Sequence, residues 1–280
     1  MVAAIVTFAS SSFAHAHRRF EKQARAFDLF DEYFIFTESD LDPEFRLEFR
    51  HVLHENVRGY GYWVWKPQII LQAMRRLEDG DELVYVDSGS HLIPGAKNRM
   101  EDYLNLARTS QAGIVAFQLD MPEKNWCKAD LLDYFGGLEN PEMSDSGQVQ
   151  GGAIIMVRNQ STINFLERWL NIVHLRPDLV DDSPSNIPNF GGFREHRHDQ
   201  AVFSLLSKQA GVALLPAWEQ YPNPGKTWED LSGYPIHHRR DTVQQTVLVR
   251  VKKALRRVFL PVESWLVRKK AQLIEVFSGD

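Results

Sequence analysis

Short apolar runs alternate with longer segments of helical periodicity along most of this chain. Predicted strands cover residues 2–10, 32–37, 83–86, 113–118, 153–158 and 212–216. Predicted helices cover residues 14–30, 43–58, 68–77, 98–108, 125–134, 161–173 and 198–209. The helical segments place apolar residues three or four positions apart. Strands that alternate with helices predict an α/β fold, in which a mostly parallel mixed sheet is flanked by helices.

The first apolar run, residues 2–13, allows two interpretations. It is followed at 14–16 by Ala-His-Ala, which is like a signal-peptidase site. No Lys or Arg precedes the run, however, and Thr7 and Ser10 interrupt it. We therefore favour a first buried strand that enters a polar turn, with a signal peptide as the alternative.

The composition is that of a globular protein with a substantial core. Of the 280 residues, 44% are hydrophobic and 25% are charged. Cys127 is the one cysteine of the chain, which excludes an intramolecular disulfide bond and a zinc site built from cysteines. A reducing compartment fits this cysteine usage.

Charge is distributed unevenly along the chain. Residues 239–280 contain ten Lys/Arg and four Asp/Glu, a formal charge of +6, whereas the first 238 residues contain 22 and 33, a formal charge of −11. We expect an acidic body at 1–240 and a basic helical tail at 241–280. Within 246–280, apolar and basic residues interleave as in helices that lie on anionic membranes. Packing of the apolar residues on the body or on a second subunit is the alternative.

An acidic residue ends the apolar run at 83–86. Asp87 opens a turn of small residues that continues with Ser88 and Gly89. Such a strand ends at the carboxyl edge of the sheet, where open α/β folds bind ligands. A carboxylate there can hold a divalent cation and, through it, a diphosphate. An Asp at a strand end is also common without any function.

Aromatic residues and glycines surround one lysine at 58–67. Trp63 and Trp65 lie close to Lys66, and Pro67 fits the first turn of the next helix. Aromatic rings beside a pocket can stack on a base or a sugar, and a lysine there can hold a phosphate. Two tryptophans are equally suited to a hydrophobic core.

A glycine pair precedes the strand predicted at 153–158. Gln150, Gly151 and Gly152 are expected to form a turn that lets the backbone approach a ligand closely. A plain turn is the alternative.

A charged junction opens the helix predicted at 198–209. Glu195, His198 and Asp199 lie here beside two arginines. An Asp at a helix N-terminus is often only a cap or a partner of the helix dipole. An acid among histidines and arginines is also a candidate for contact with a substrate.

A late basic cluster contains His237, His238 and Arg239. Either histidine could complete a metal site that Asp87 begins, and an arginine could neutralise diphosphate oxygens. A solvated basic patch is the alternative.

In this order the motifs resemble those of GT-A glycosyltransferases, and of bacterial polysaccharide or glycolipid enzymes in particular. The resemblance covers residues 1–240. It rests on the Gly-Tyr-Trp-x-Trp-Lys-Pro run at 61–67, the strand and Asp-x-Gly at 83–89, and the Trp-x-Lys-x-Asp block at 126–130. Asp-Ser-Gly stands where the family has its DxD motif, so Gly89 departs from the family pattern.

The resemblance implies transfer of a sugar from a nucleoside-diphosphate donor, most often a UDP-sugar, to a hydroxyl of a glycan or glycolipid. Asp87 would hold Mn²⁺ or Mg²⁺ with His237 or His238, although transfer without metal stays open. The implied donor contacts are Lys66, Asp87, Ser88, Gly89, Gln150, Gly151, Gly152, His198 and Arg239. Asp199 would contact the donor sugar, and Asp199 or Glu195 would be the base if the enzyme inverts. Retention or inversion stays open.

Two other functions remain as alternatives. One is a non-catalytic, membrane-associated adaptor that kept the fold, with Gly89 marking a lost site. The other is a sugar nucleotidyltransferase, although residues 10–18 lack the Gly-rich loop that such enzymes need. Nucleic acid is not expected as a partner, since the body is acidic and no nucleic-acid-binding motif is present. We expect a cytoplasmic protein, peripheral at the inner face of the membrane.

Overall fold

Eight strands are present in the computed structural model, which describes residues 1–239. They are β1 (Ala3–Phe8), β2 (Glu32–Phe36), β3 (Glu82–Val86), β4 (His91–Leu92), β5 (Ile114–Pro122), β6 (Gly147–Val157), β7 (Ala213–Pro216) and β8 (Ile236–His237). Six of them form one sheet in the order β2-β1-β3-β6-β5-β7, and β4 pairs with β8 in a separate ribbon.

The direction of the strands determines what meets at each edge of the sheet. Strand β1 is parallel to β2 and β3, and β5 is parallel to β7, whereas β6 is antiparallel to β3 and β5. The mostly parallel mixed sheet predicted from the sequence is confirmed. Because β6 runs in reverse, its first half lies at the edge where the other strands end.

Helices connect the strands and cover the sheet. They are α1 (Ala14–Ala26), α2 (Pro43–Glu48), α3 (Gly59–Tyr62), α4 (Trp65–Met74), α5 (Lys97–Thr109), α6 (Glu123–Trp126), α7 (Ala129–Tyr134), α8 (Pro141–Ser144), α9 (Gln160–Leu175) and α10 (His198–Ala210). The helix predicted at 43–58 ends at Glu48 instead. The backbone turns after α2, and Val52 and Leu53 contact the core from the irregular segment that follows, so their packing does not need a longer helix.

Both faces of the sheet are buried. Leu83 and Tyr85 of β3 belong to a hydrophobic cluster that includes α4, α9 and α10. Val84 and Val86 belong to a second cluster, which includes α1 and α5. Alternate side chains of one strand therefore supply two cores, which explains the uninterrupted apolar run of β3.

The glycine pair lies inside a strand, so the predicted turn at 150–152 is wrong. Strand β6 begins at Gly147, and its first half pairs with β5, with Val149 opposite Gln118 and Gln150 opposite Phe117. The extension was not predicted from the sequence because Gln148 and Gln150 are polar. Gln148 and Gln150 are buried because their amides hydrogen-bond inside the protein.

The basic tail predicted at 241–280, with its proposed membrane contact at 246–280, lies outside the described residues. Within residues 1–239, no helix is both long and apolar enough to cross a membrane.

Candidate functional site

Three charged side chains from distant parts of the chain meet at the carboxyl edge of the sheet. Lys66 Nζ lies 2.5 Å from Asp199 Oδ2 and 3.5 Å from Asp87 Oδ1. It also donates a hydrogen bond of 3.0 Å to the carbonyl oxygen of Gly151. The Lys66 and Asp199 side chains are only 4% and 5% exposed, whereas Asp87 is 38% exposed. The site therefore has a buried ion pair and one acid open to solvent.

Burial dominates the electrostatics of this ion pair. It raises the pKa of the Asp199 carboxyl to about 6, although the Lys66 charge opposes the shift. Burial alone would lower the pKa of Lys66, but the carboxylates of Asp199 and Asp87 overcome this effect and raise it. Both members of the pair are therefore charged at neutral pH.

Asp87 is held by its neighbours on β3 and β6. Its Oδ1 accepts a 2.5 Å hydrogen bond from the Tyr85 hydroxyl, and its backbone N–H donates to the Gly152 carbonyl at 2.9 Å. Burial, with help from the Asp87 charge, raises the pKa of Tyr85 well above its usual value. Tyr85 therefore stays a hydrogen-bond donor, and Asp87 has a fixed orientation.

Gly152 lies where Asp87 and His238 converge. A Cβ atom at this position would be 2.8 Å from His238 Cε1 and 3.0 Å from Asp87 Oδ2. Ser90 Oγ lies 2.7 Å from His238 Nδ1 and fixes the imidazole ring. The missing side chain at Gly152 thus allows an acid and a histidine to approach the same point.

His237, which ends β8, and His238, which follows it, have different surroundings. His237 Nε2 donates a 2.8 Å hydrogen bond to the Leu231 carbonyl, and its ring packs against Trp228. His238 instead stacks on Tyr221, with 5.4 Å between ring centroids. Of the pair, His238 lies beside Asp87. Arg239 is exposed near His237, whose pKa is lowered by burial and, less strongly, by the charge of Arg239.

The turn after Asp87 is braced from α1. Arg19 donates to the carbonyl oxygens of Ser90 at 2.7 Å and Ser88 at 3.0 Å. Gly89 lies in this turn, and a Cβ there would meet nothing within 4 Å. Arg19 could not be predicted as a site residue from the sequence, because a basic residue on an amphipathic helix carries no specific signal.

Five consecutive residues before Lys66 have left-handed backbone conformations. Their φ angles are +63° for Gly59, +55° for Tyr60, +93° for Gly61, +55° for Tyr62 and +59° for Trp63. Left-handed backbone costs about 1–2 kcal/mol for each residue other than glycine. A run of this length is therefore strained, and strain of this kind concentrates at functional sites.

Packing on either side maintains the left-handed run. The Trp65 ring stacks on Phe8 at 4.1 Å and donates a 3.0 Å hydrogen bond to the Gly59 carbonyl. The Tyr62 ring stacks on His198 at 5.3 Å. The aromatic block is thus part of the core, and it delivers Lys66 to the site.

The histidines before Asp199 hold the backbone. His198 has a φ of +49°, and its Nδ1 donates to the Val180 carbonyl at 2.8 Å. His196 Nε2 donates to the Leu179 carbonyl at 2.9 Å. Burial lowers the pKa of both imidazoles. Glu195 is 39% exposed, and its carboxylate pairs with arginines 58 and 197.

The Trp-x-Lys-x-Asp block positions the loop before α10. Lys128 is 2% exposed, and its Nζ donates to the Ser183 carbonyl at 3.1 Å and to the Asp178 carbonyl. The Asp130 carboxylate accepts hydrogen bonds of 2.8 Å from the backbone N–H groups of residues 186 and 187. Both residues support the loop that leads to Asp199.

An open cleft of about 1120 Å³ adjoins the site. Its walls include Gln200, Tyr221 and His238, together with residues of β5 and β7. Gln200 Nε2 donates to Gln148 Oε1 at 2.9 Å, and Gln150 Nε2 donates to the Tyr221 hydroxyl at 3.0 Å. The polar residues of β6 therefore position the side chains that line the inner end of the cleft.

No protein-family model and no curated protein matches this chain. Similar solved structures include a glycosyltransferase involved in the glycosylation of the major capsid of PBCV-1, which is 14% identical with a TM-score of 0.48 and covers 87% of this chain and 95% of its own. Mouse xyloside xylosyltransferase 1 is 9% identical with a TM-score of 0.43 and coverage of 85% and 97%. The galactosyltransferase LgtC is 11% identical with a TM-score of 0.43 and coverage of 84% and 86%. These similarities are remote.

Proposed function

We propose that this protein is a GT-A-type glycosyltransferase that moves a sugar from a nucleoside-diphosphate donor, a UDP-sugar first, to a hydroxyl of a glycan or glycolipid. The observation that carries the proposal is the meeting of Asp87, Lys66 and Asp199 at the carboxyl edge of the sheet. Open α/β folds bind ligands at this edge. The order of the motifs along the chain supports the same function.

The donor diphosphate is proposed to lie at Asp87 and Gly152. Negative charge grows on the diphosphate as the bond to the sugar breaks, so a fixed positive charge lowers the barrier. Lys66 Nζ supplies that charge 3.5 Å from Asp87 Oδ1. The glycine backbone leaves room for the phosphates to approach the strand.

The residues at this point fit a divalent cation. A carboxylate oxygen of Asp87 and an imidazole nitrogen of His238 suit Mn²⁺, and Gly152 leaves space between them. Within residues 1–239, no group of three or more His, Cys, Asp or Glu side chains is placed to hold a metal. Diphosphate oxygens would have to complete the ligand set. A bound cation would offset charge on the leaving diphosphate.

Asp199 is proposed to contact the donor sugar. Its Oδ2 lies 3.5 Å from the point where a Cβ on Gly151 would stand, so the carboxylate faces the glycine pair. Lys66 keeps Asp199 charged at neutral pH despite burial. A sugar over the glycine pair would meet an acceptor for its hydroxyls and a negative charge near its anomeric carbon. Glu195, paired with arginines at the surface, is not proposed for this role.

A peripheral location at the inner face of the membrane belongs to the same proposal. It is supported by the interleaved basic and apolar residues of 246–280. A lipid-linked acceptor would fit such a location.

Nucleotide binding tests the proposed function. We expect UDP near 100 times its dissociation constant, with Mn²⁺, to stabilise the fold by about 2.7 kcal/mol and to raise the melting temperature by about 5–10 °C. GDP, CDP and ADP at the same concentration should raise it less. Asp87→Asn should remove most of the UDP shift without lowering the melting temperature of the free protein. If no nucleotide in this panel raises the melting temperature of the wild-type protein, the result would contradict the proposal and favour a non-catalytic adaptor.

A further inference from the structure

An aromatic side chain is displayed on the wall of the cleft beside the site. Trp218 is 44% exposed and lines the cleft of about 1120 Å³. The residues that follow it, Glu219 and Gln220, are 3% and 1% exposed. The tryptophan is therefore exposed on a segment whose next two residues are buried.

That segment is anchored firmly. Glu219 accepts hydrogen bonds from Arg99 Nη2 at 2.6 Å and Nε at 3.1 Å, and from the Tyr103 hydroxyl. These partners lie on α5, so a bidentate ion pair with a buried carboxylate joins the wall to that helix. The Tyr234 ring packs edge-on against Trp218 at 5.5 Å. The exposed indole face is thus held in place and does not belong to a loose loop.

Polar groups line the same cleft as the indole. They include the Asp120 carboxylate, the Gln118 amide and Ser146. An aromatic face covers the apolar C–H side of a pyranose ring, while carboxylate and amide groups bind its hydroxyls. The combination of these groups with Trp218 is suited to a sugar ring.

The cleft carries less positive charge than a diphosphate site would need. Among the described lining residues, Arg197 is the one arginine or lysine, and Asp120 carries a negative charge. The diphosphate is proposed to lie at Asp87 instead, where the Lys66 ammonium is 3.5 Å from Asp87 Oδ1. The cleft reaches Gln200, the residue after Asp199, so a ligand in it would be close to the reacting end of the donor.

We propose that this cleft binds the acceptor through a saccharide ring, with Trp218 as the platform and Asp120 as a partner for hydroxyl groups. The proposal rests on the glycosyltransferase function above and names the acceptor class. The enzyme recognises a sugar of its acceptor, whatever aglycone or lipid that sugar carries.

The test uses the full chain and a panel of p-nitrophenyl glycosides of glucose, galactose, mannose and N-acetylglucosamine. We expect at least one to be glycosylated, and Trp218→Ala to raise its KM by about tenfold, the loss of one stacking contact. Trp218→Phe should keep the KM within about threefold, because a ring remains. Tyr134→Ala removes an aromatic side chain that is 46% exposed outside the cleft, and should leave the KM unchanged.

Three outcomes separate the possibilities. An unchanged KM in Trp218→Ala would overturn the acceptor proposal while leaving the transferase proposal in place. If no glycoside is glycosylated, saturation-transfer NMR with the same panel would show whether any of them binds the wild-type protein. The absence of binding by all four glycosides would also overturn the acceptor proposal. If the protein neither binds UDP nor releases it from UDP-sugars, the transferase proposal fails first.

Discussion

Gly152→Ala should lower the turnover of the nucleotide-sugar by about 100-fold, the size of effect expected when reacting groups shift by about 1 Å. The new methyl group would stand 2.8 Å from His238 Cε1 and 3.0 Å from Asp87 Oδ2. Both side chains would have to move, since neither distance is compatible with ordinary van der Waals contact. Overpacking of this kind costs about 1–3 kcal/mol of stability, so the variant should still fold. Steady-state kinetics and a melting curve would measure both effects.

The neighbouring glycine provides the matched comparison. A Cβ on Gly151 would be 3.5 Å from Asp199 Oδ2, which is an ordinary contact. We expect Gly151→Ala to lower turnover less than Gly152→Ala, because its methyl group would crowd the donor sugar without moving Asp87 or His238. Equal turnover in Gly152→Ala and wild type would contradict the placement of the donor between Asp87 and His238.

Lys66→Met should destabilise the protein by about 3–5 kcal/mol, because it leaves the buried Asp199 carboxylate without its partner. Asp199 is only 5% exposed, so solvent cannot replace the lysine. Urea denaturation of wild type and variant measures the difference in the free energy of unfolding. The variant should also lose turnover, since Lys66 is the cation proposed to lie beside the diphosphate.

The pH dependence of this loss of stability follows from the pKa of Asp199. Its folded pKa is about 6, above the unfolded value of 3.8, so its contribution to stability is present at low pH and is lost as pH rises through 6. Without Lys66 the folded pKa of Asp199 rises further. The difference in the free energy of unfolding between wild type and Lys66→Met should therefore grow from pH 5 to pH 8. The double variant Lys66→Met/Asp199→Asn should recover part of the stability at pH 8. A single variant as stable as wild type at pH 8 would contradict a buried ion pair.

Much of the fold could be predicted because its signals are local. Strand β3 is an apolar run that is buried on both faces, so it stands out in the sequence, and the acid that follows it had to lie at the edge of the sheet. Helix α10 begins at His198 and α1 at Ala14, as their periodicity predicts.

The features that the sequence left open depend on pairing between distant segments. The sequence could not choose between His237 and His238, because the choice depends on which of them pairs with β4. His237 lies opposite His91 in that ribbon, and His238 is left next to Asp87. The glycine pair was expected in a turn, since only the pairing of the residues on either side, Gln150 with β5 and Ala153 with β3, shows that it lies within β6.

The ion pair and the cleft had the weakest signals. Lys66 and Asp199 are 133 positions apart in the sequence, and neither residue type predicts burial. The contact between Lys66 and Asp199 depends on the left-handed run before Lys66, which no local motif predicts. Trp218 has no distinctive sequence context, and its exposure follows from the anchoring of Glu219 on α5.

Release of UDP from UDP-sugars would test directly whether this protein transfers a sugar. UDP-glucose, UDP-galactose and UDP-N-acetylglucosamine would each be incubated with the full chain, Mn²⁺ and the glycoside panel, and free UDP would be quantified. We expect UDP release from at least one donor, at a rate that Asp199→Asn lowers by about 100-fold, because the variant loses a charge proposed to act in the transition state. Release at an equal rate by wild type and Asp199→Asn, or by neither protein, would contradict this expectation.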